Sequence, residues 1–244
     1  MNTLERGRVV VIYGPEGSGK STVRGVLEEH GFEQVRGAAS FKADELQFHS
    51  PEAQKMLRKA ELVGQEDFFS LLRVPIKRRN EIFDILDRVM VSQYYHALKL
   101  LDSGHNVALD RGIISSQVTH RVLQSLSPAT LKALNLPSDI PQWSVGRFQR
   151  LEAMKKWVVF EEISKRTSQY VVCTAEPTIL FQRAGGGIEL RATEAQSYMD
   201  LMGISPTTGI QQFDGKKTLV IDTGITPIDA ERQMLERFIA PSRS

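Results

Sequence analysis

Apolar residues along the chain fall into two alternating patterns. Five short runs, at 9–13, 32–35, 107–109, 170–173 and 219–221, are almost continuously apolar. Strands that face water on one side alternate apolar and polar residues, so unbroken runs predict strands covered on both faces. Helical segments are expected between them at 20–29, 82–101, 115–126, 145–166, 177–184, 193–202 and 228–239. In the second of these, Ile82, Ile85, Leu86, Val89, Met90 and Tyr94 recur at the spacing of one helix face. Strand–helix alternation without a break in composition predicts α/β architecture: one open five-stranded parallel sheet with helices on both faces, in a single domain spanning 1–244.

Two stretches stand apart. Residues 127–143 hold Pro128, Pro137 and Pro141 with no clear periodicity and read as a surface insertion. Gly185-Gly186-Gly187 interrupts two helical segments and suits the hinge of a mobile lid, expected at about 183–193.

Composition narrows the picture only modestly. The 244 residues are 41% hydrophobic and 25% charged, ordinary for a globular chain. No apolar run approaches the roughly 18 residues of a membrane span, and none near the N-terminus resembles a signal peptide, so a cytoplasmic protein without a membrane partner is expected. The single cysteine, Cys173, excludes an internal disulfide framework and reads as a buried strand thiol. Histidines at 30, 49, 96, 105 and 120 show no metal-ligand spacing. A net charge of +2 is compatible with an anionic substrate and too small to argue for nucleic acid.

The strongest chemical signal is Gly14-Pro15-Glu16-Gly17-Ser18-Gly19-Lys20-Ser21, which follows the first strand and opens the first helix. Glycines let a backbone wrap phosphate oxygens and aim N–H groups at them. The helix N-terminus adds the positive end of its dipole. This loop, with Gly14, Gly17, Ser18, Gly19, Lys20, Ser21 and Thr22, is therefore expected to hold ATP. Lys20 would meet the β and γ phosphates, and the Ser21 hydroxyl would ligate Mg²⁺.

Two further groups suggest transfer chemistry. Asp110 and Arg111 end the third strand, the edge at which open α/β sheets bind ligands. Asp110 can orient the Mg²⁺ shell or hold Arg111, and Arg111 can clamp a phosphate with its planar fork. Read alone, the pair is equally a structural ion pair. Arg183 and Arg191 flank the glycine hinge, where guanidinium groups can neutralise charge on a transferring phosphoryl group or simply face solvent.

In their order along the chain, these segments resemble the thymidylate kinase branch of the nucleoside monophosphate kinases. Glu16 stands inside the phosphate loop where that family has an acid. The run Ile82-Phe83-Asp84-Ile85-Leu86-Asp87-Arg88 is similar to the segment whose phenylalanine and arginine hold the nucleobase. Asp110-Arg111-Gly112-Ile113-Ile114-Ser115-Ser116-Gln117 resembles the Asp-Arg motif. Glu189-Leu190-Arg191-Ala192-Thr193-Glu194 resembles the arginine-bearing lid, and Val220-Ile221-Asp222-Thr223 the closing strand beside adenine. The resemblance implies the three-layer P-loop kinase fold, ATP with Mg²⁺ held at Ser21 and Asp110, and a homodimer. It implies catalytic roles for Glu16, Lys20, Asp110, Arg111, Arg183 and Arg191. Phe83, Arg88 and Gln117 would hold the acceptor's base, with Phe68, Phe69 or Tyr95 as the alternative stacking residue, and Phe83 reads equally as a core residue of its helix. The sequence departs from the pattern in three places. Gly112 stands where an aromatic residue is usual, Arg36-Gly37-Ala38 replaces the motif after the second strand, and 37–80 matches no family segment.

The acceptor is read from charge. A monophosphate needs cations rather than a general base, whereas a hydroxyl needs a carboxylate within reach. The second strand ends in Arg36, and the nearest acids, Asp44 and Glu45, lie downstream where they would cap or solvate a helix. Arg36 and Arg111 therefore point to a monophosphate. The expected activity is transfer of the ATP γ-phosphate to a deoxynucleoside monophosphate, with dTMP as the acceptor. A kinase for a hydroxyl, on a nucleoside or on a modified base within DNA, is the alternative. A regulatory P-loop NTPase is the third reading.

Overall fold

The computed structural model describes residues 7–37, 43–64, 68–185 and 187–240. Ala38 and Gly186, drawn into the sequence reading, lie outside these residues, as does the Asp44 side chain. Six strands form one sheet: β1 (Val9–Tyr13), β2 (Phe32–Arg36), β3 (Asn106–Asp110), β4 (Thr167–Thr174), β5 (Gly209–Phe213) and β6 (Lys216–Asp222). The spatial order is β2-β3-β1-β4-β6-β5. Five strands run parallel, and β5 pairs antiparallel with β6 at the edge. This sixth strand corrects the expected count. It is a polar edge strand, Gly-Ile-Gln-Gln-Phe, without the apolar run that marked the others. Asp214 and Gly215, both at positive φ, make the tight turn into β6.

Twelve helices or turns of helix pack around the sheet among the described residues, including a 3₁₀ turn at Ala43–Phe48. On one face lie α1 (Lys20–Glu29) and a C-terminal helix (Ile228–Ile239). Val23, Leu27, Leu235 and Phe238 there cover Val10, Ile12 and Ile221. The other face is covered by α4 (Ile76–Asp102), α5 (Ile113–Gln124), α7 (Ile140–Met154), α8 (Val158–Arg166) and α10 (Ile188–Met202). A third apolar cluster joins α2 (Pro51–Lys59), α3 (Phe68–Leu72), the first half of α4, and α6 (Pro128–Ala133). Between β4 and α10 runs α9 (Pro177–Ala184), and the C-terminal helix is α11.

Two sequence expectations are corrected here. The helix expected at 145–166 is two helices, α7 and α8, parted at Lys155–Trp157. The stretch 127–143 is not a surface insertion: Leu131, Leu136, Ile140 and Trp143 are buried in the third cluster. Two of its three prolines, Pro128 and Pro141, mark helix starts rather than breaks. Pro128 follows Ser127, whose Oγ accepts the Thr130 N–H at 3.1 Å, and Pro141 stands in the first turn of α7. A proline there gives up only an N–H that has no helical partner anyway.

Candidate active site

The site forms at the C-terminal edge of the sheet because the strand order puts β1 beside β3, and β3 beside β2. Ile12 is in register with Asp110, and Asp110 with Arg36, so three strand ends deliver their next residues to one place.

The loop 14–21 leaves β1 and turns at once. Gly14 has φ +141°, and a Cβ there would lie 2.2 Å from the Cys173 carbonyl oxygen, so only glycine fits. Lys20 opens α1 and is 7% exposed. Its Nζ donates to Gly14 O at 2.8 Å and Pro15 O at 2.5 Å. Burial, and then the Arg111 guanidinium, lower its pKa to about 8. Ser18 is fully buried and its Oγ has no partner among the described residues.

Asp110 is 3% exposed. Its Oδ2 accepts from Arg36 Nη1 at 2.7 Å and Arg24 Nη1 at 3.3 Å, while Oδ1 has no partner among the described residues. Arg36 also pairs with Glu45, so this acid completes a charge cluster instead of capping or solvating a helix. Arg111 sits at φ +59°, with its N–H on Ile12 O at 3.1 Å. Burial disfavours its charge, but Asp110 and Tyr198, with Glu16 and Glu194, outweigh it and raise the guanidinium pKa.

The departure at Gly112 has a steric cause. A Cβ there would lie 2.7 Å from both the Tyr13 and Tyr94 phenol oxygens. The Tyr94 Oη accepts the Ile113 N–H at 2.9 Å and so caps α5 in place of a residue in the chain before it. Tyr198 donates to Ser115 Oγ at 2.9 Å. Space that an aromatic side chain would take after Asp-Arg is filled from β1 and α4.

One cavity of about 420 Å³ joins the phosphate loop, from Gly17 through Thr22, to Arg24, Arg36, Glu45, Asp110 and Arg111 on one side. On the other it reaches Arg183, Thr223, Ile228 and Glu231. Its wall carries five cations, Lys20 and four arginines, against three carboxylates. Such a surplus inside a concave, partly buried site suits polyphosphate. Arg183 ties this side to the phosphate loop: Nη1 donates to Thr223 Oγ1 at 3.0 Å and to Gly17 O at 3.4 Å, and Nη2 to Thr223 O at 3.1 Å.

Other expected site residues lie elsewhere. Arg191 is 7% exposed and does not line this cavity. It donates to Gly185 O at 2.8 Å and Ala184 O at 3.2 Å and pairs with Glu194 at 2.7 Å. Glu16 turns toward the same group: its N–H donates to Glu194 Oε1 at 3.1 Å and its carboxylate lies 3.6 Å from Arg191. Both therefore join the α9–α10 connection to the phosphate loop and lie outside the cavity lining.

The expected base-binding set is not brought together. Phe83 is a core residue, its ring 4.8 Å from that of Trp143 and 5.7 Å from that of His120. Arg88 is exposed and donates to Asp84 O at 3.3 Å. Gln117 is fully buried with its amide on Glu152. The cavity residues absent from the sequence reading of the site are Arg24, Glu45, Ile228 and Glu231, and Thr223 entered it only as part of the closing-strand segment. Arg24 had one legible signal: it lies one helical turn after Lys20, on the same face of α1.

No protein-family model matches this chain, and no curated protein matches it in sequence. Two solved structures share its fold. The thymidylate kinase of Candida albicans superposes with a TM-score of 0.60 at 15% identity, over 96% of this chain and 91% of that one. The deoxyadenosine kinase of M. mycoides, solved with bound dATP, superposes with a TM-score of 0.51 at 13% identity, over 95% of this chain and 100% of that one. The fold is thus the mixed α/β fold of the P-loop kinases, with the antiparallel β5 as a sixth strand.

Proposed function

We propose that this protein is an ATP-dependent nucleotide kinase, transferring the γ-phosphate to a deoxynucleoside monophosphate, with dTMP as the expected acceptor. The observation that carries the reading is the single cavity in which the phosphate loop faces Arg36, Asp110 and Arg111. Phosphoryl transfer asks little covalent chemistry of a protein; it asks for two anions held in line and for their charge to be neutralised. The loop amides and Lys20 serve the donor. Arg183, between Gly17 and Thr223, keeps a guanidinium over the same phosphates. Arg36 and Arg111 serve the acceptor, whose phosphate oxygen attacks without needing a base.

Mg²⁺ fits the oxygen donors present: the Ser21 hydroxyl lines the cavity, and Asp110 Oδ1 is buried there without a partner among the described residues. When bound, the ion would offset negative charge on the donor phosphates. The α9–α10 lid, tied to the loop through Arg191, Glu194 and Glu16, excludes water so that the phosphoryl group reaches the acceptor.

A second reading is favoured by two observations. Asp110 Oδ1 is a buried carboxylate oxygen with no hydrogen-bond partner among the described residues, and Phe83, Arg88 and Gln117 leave the cavity without the base-binding residues expected of a monophosphate kinase. Both suit a hydroxyl acceptor, on a nucleoside or on a modified base in DNA. A panel of deoxynucleoside monophosphates, nucleosides and oligonucleotides carrying a hydroxymethyl base, tested for phosphate uptake from ATP, separates the two. Calorimetric titration of dTMP into Arg36→Ala and Arg111→Ala should show roughly tenfold or greater weakening in each, with ATP binding retained. Unchanged dTMP affinity in both variants would remove the monophosphate reading. Transfer only to hydroxyl substrates, abolished by Asp110→Asn, would establish the second.

A further inference from the structure

The end of the cavity away from Arg183 holds an arginine with no role in the reading so far. Arg24 stands one turn beyond Lys20 on α1, so helix geometry aims both side chains at the same space. Its guanidinium carbon lies 4.8 Å from the centre of the Phe48 ring. That ring comes from the 3₁₀ turn Ala43–Phe48, in the part of the chain that matched no known segment. An aromatic face holds a guanidinium flat and reduces the order it must gain on binding, while leaving its N–H edge available.

The charges around Arg24 do not balance. Arg24 and Arg36 share one oxygen of Asp110, at 3.3 and 2.7 Å, and Arg24 is the longer of the two. Arg111 adjoins them on the same cavity wall. Among the described residues that line the cavity there, three guanidinium groups thus meet two carboxylates, Asp110 and Glu45. Three buried polar atoms of this group, Asp110 Oδ1, Arg36 Nε and Arg111 Nε, have no partner among the described residues, and the Asp110 and Arg36 side chains are at least nine-tenths buried. Buried donors are normally satisfied, so the unpartnered Arg36 and Arg111 Nε–H groups point to an anionic acceptor at this end, while the Asp110 oxygen suits the Mg²⁺.

We infer that Arg24, steadied by Phe48, is a further acceptor-binding residue, and that its ligand is a phosphate group carried by the acceptor. The inference rests on the proposed phosphotransferase reading and deepens it. Lys20 holds the donor phosphates, and Arg24, one turn deeper on the same helix, holds the acceptor's. One rigid element then fixes the separation of the two anions, which is what in-line transfer requires.

The test uses the whole protein and two probes. dTMP is titrated against the parent, Arg24→Gln, Arg24→Lys and Phe48→Leu. Inorganic phosphate is titrated into the same proteins saturated with ADP and Mg²⁺. Arg24→Gln should weaken phosphate, and dTMP if it binds, by about tenfold or more, with ATP affinity unchanged within about twofold. Arg24→Lys should recover part of the loss, since it restores charge without the planar fork. Phe48→Leu should cost about two- to fivefold. If the parent binds phosphate but not dTMP and Arg24→Gln still weakens phosphate, the inference stands and the dTMP reading falls. Unchanged binding of both probes in Arg24→Gln overturns the inference. Equal loss of acceptor and ATP also overturns it, because Arg24 would then only be holding α1 in place.

Discussion

Replacing Lys20 by methionine should make the protein more stable at neutral pH while removing its nucleotide chemistry. Lys20 is 7% exposed, and burial, with Arg111 beside it, pulls its pKa from 10.5 down to about 8. At about 1.36 kcal/mol for each pH unit, keeping that ammonium in the fold costs roughly 3 kcal/mol. The sign follows from which state holds the proton. Below pH 8 both states are charged and the folded chain bears the whole cost. Between pH 8 and 10.5 the unfolded chain keeps a proton that the folded chain has lost, so stability rises with pH, and above 10.5 the cost is gone. Methionine keeps the length and the flexible stem without the charge. It gives up the two bonds from Nζ to Gly14 O and Pro15 O, which returns part of the gain. A net stabilisation of about 1–3 kcal/mol at pH 7 should raise the melting temperature by roughly 2–12 °C in a chain of this size. The assay is thermal unfolding of the parent and Lys20→Met without nucleotide, at pH 7 and pH 10. The gap should narrow sharply at pH 10, and ATP with Mg²⁺ should stabilise only the parent. A variant that melts at or below the parent at pH 7, or a gap that ignores pH, would refute the reasoning.

Three other outcomes follow from the packing. Gly112→Ala places a methyl 2.7 Å from the Tyr13 and Tyr94 phenol oxygens and should cost about 1–3 kcal/mol by chemical denaturation. The penalty should shrink when both tyrosines are phenylalanine, and an unchanged penalty would mean the clash is elsewhere. Trp143→Ala should cost about 3–5 kcal/mol, because the indole packs on Phe83 and its N–H donates to Asn80 at 2.8 Å; a change under about 0.5 kcal/mol would return 127–143 to the surface. Arg183→Ala should lower kcat with no change in proteolysis at the glycine hinge, whereas Arg191→Ala should lower kcat and also open the hinge to protease, because Arg191 binds the carbonyls of Ala184 and Gly185. Equal protease sensitivity in the two variants would contradict this division of labour.

What the sequence decided by itself is local. The phosphate loop is legible because its glycines, lysine and serine are consecutive and its flanking strand and helix carry their own patterns. Four of the five parallel strands are legible because burial on both faces demands unbroken apolar runs; β2, at the edge, has Glu33 exposed and Gln34 half-buried and carries the weaker pattern. Asp110 and Arg36 were found because a strand's last residue is fixed once its run is known. Tertiary structure alone decided what those ends face. That Asp110 joins Arg36 and Arg24 depends on β3 lying between β2 and β1, an order set by how whole elements pack. Phe83 has the same local pattern whether its helix face meets a nucleobase or other side chains, and the arrival of His120 from α5 and Trp143 from α7 made it a core residue. The prolines of 127–143 look alike as breakers and as first-turn residues, and the difference lay in the buried leucines beside them. Arg191 and Arg183 are equivalent flanks of one hinge in sequence. The turn of α9 sends Arg183 to the phosphate loop and leaves Arg191 bound to the carbonyls at that helix's end, because a buried guanidinium goes where oxygens can satisfy it.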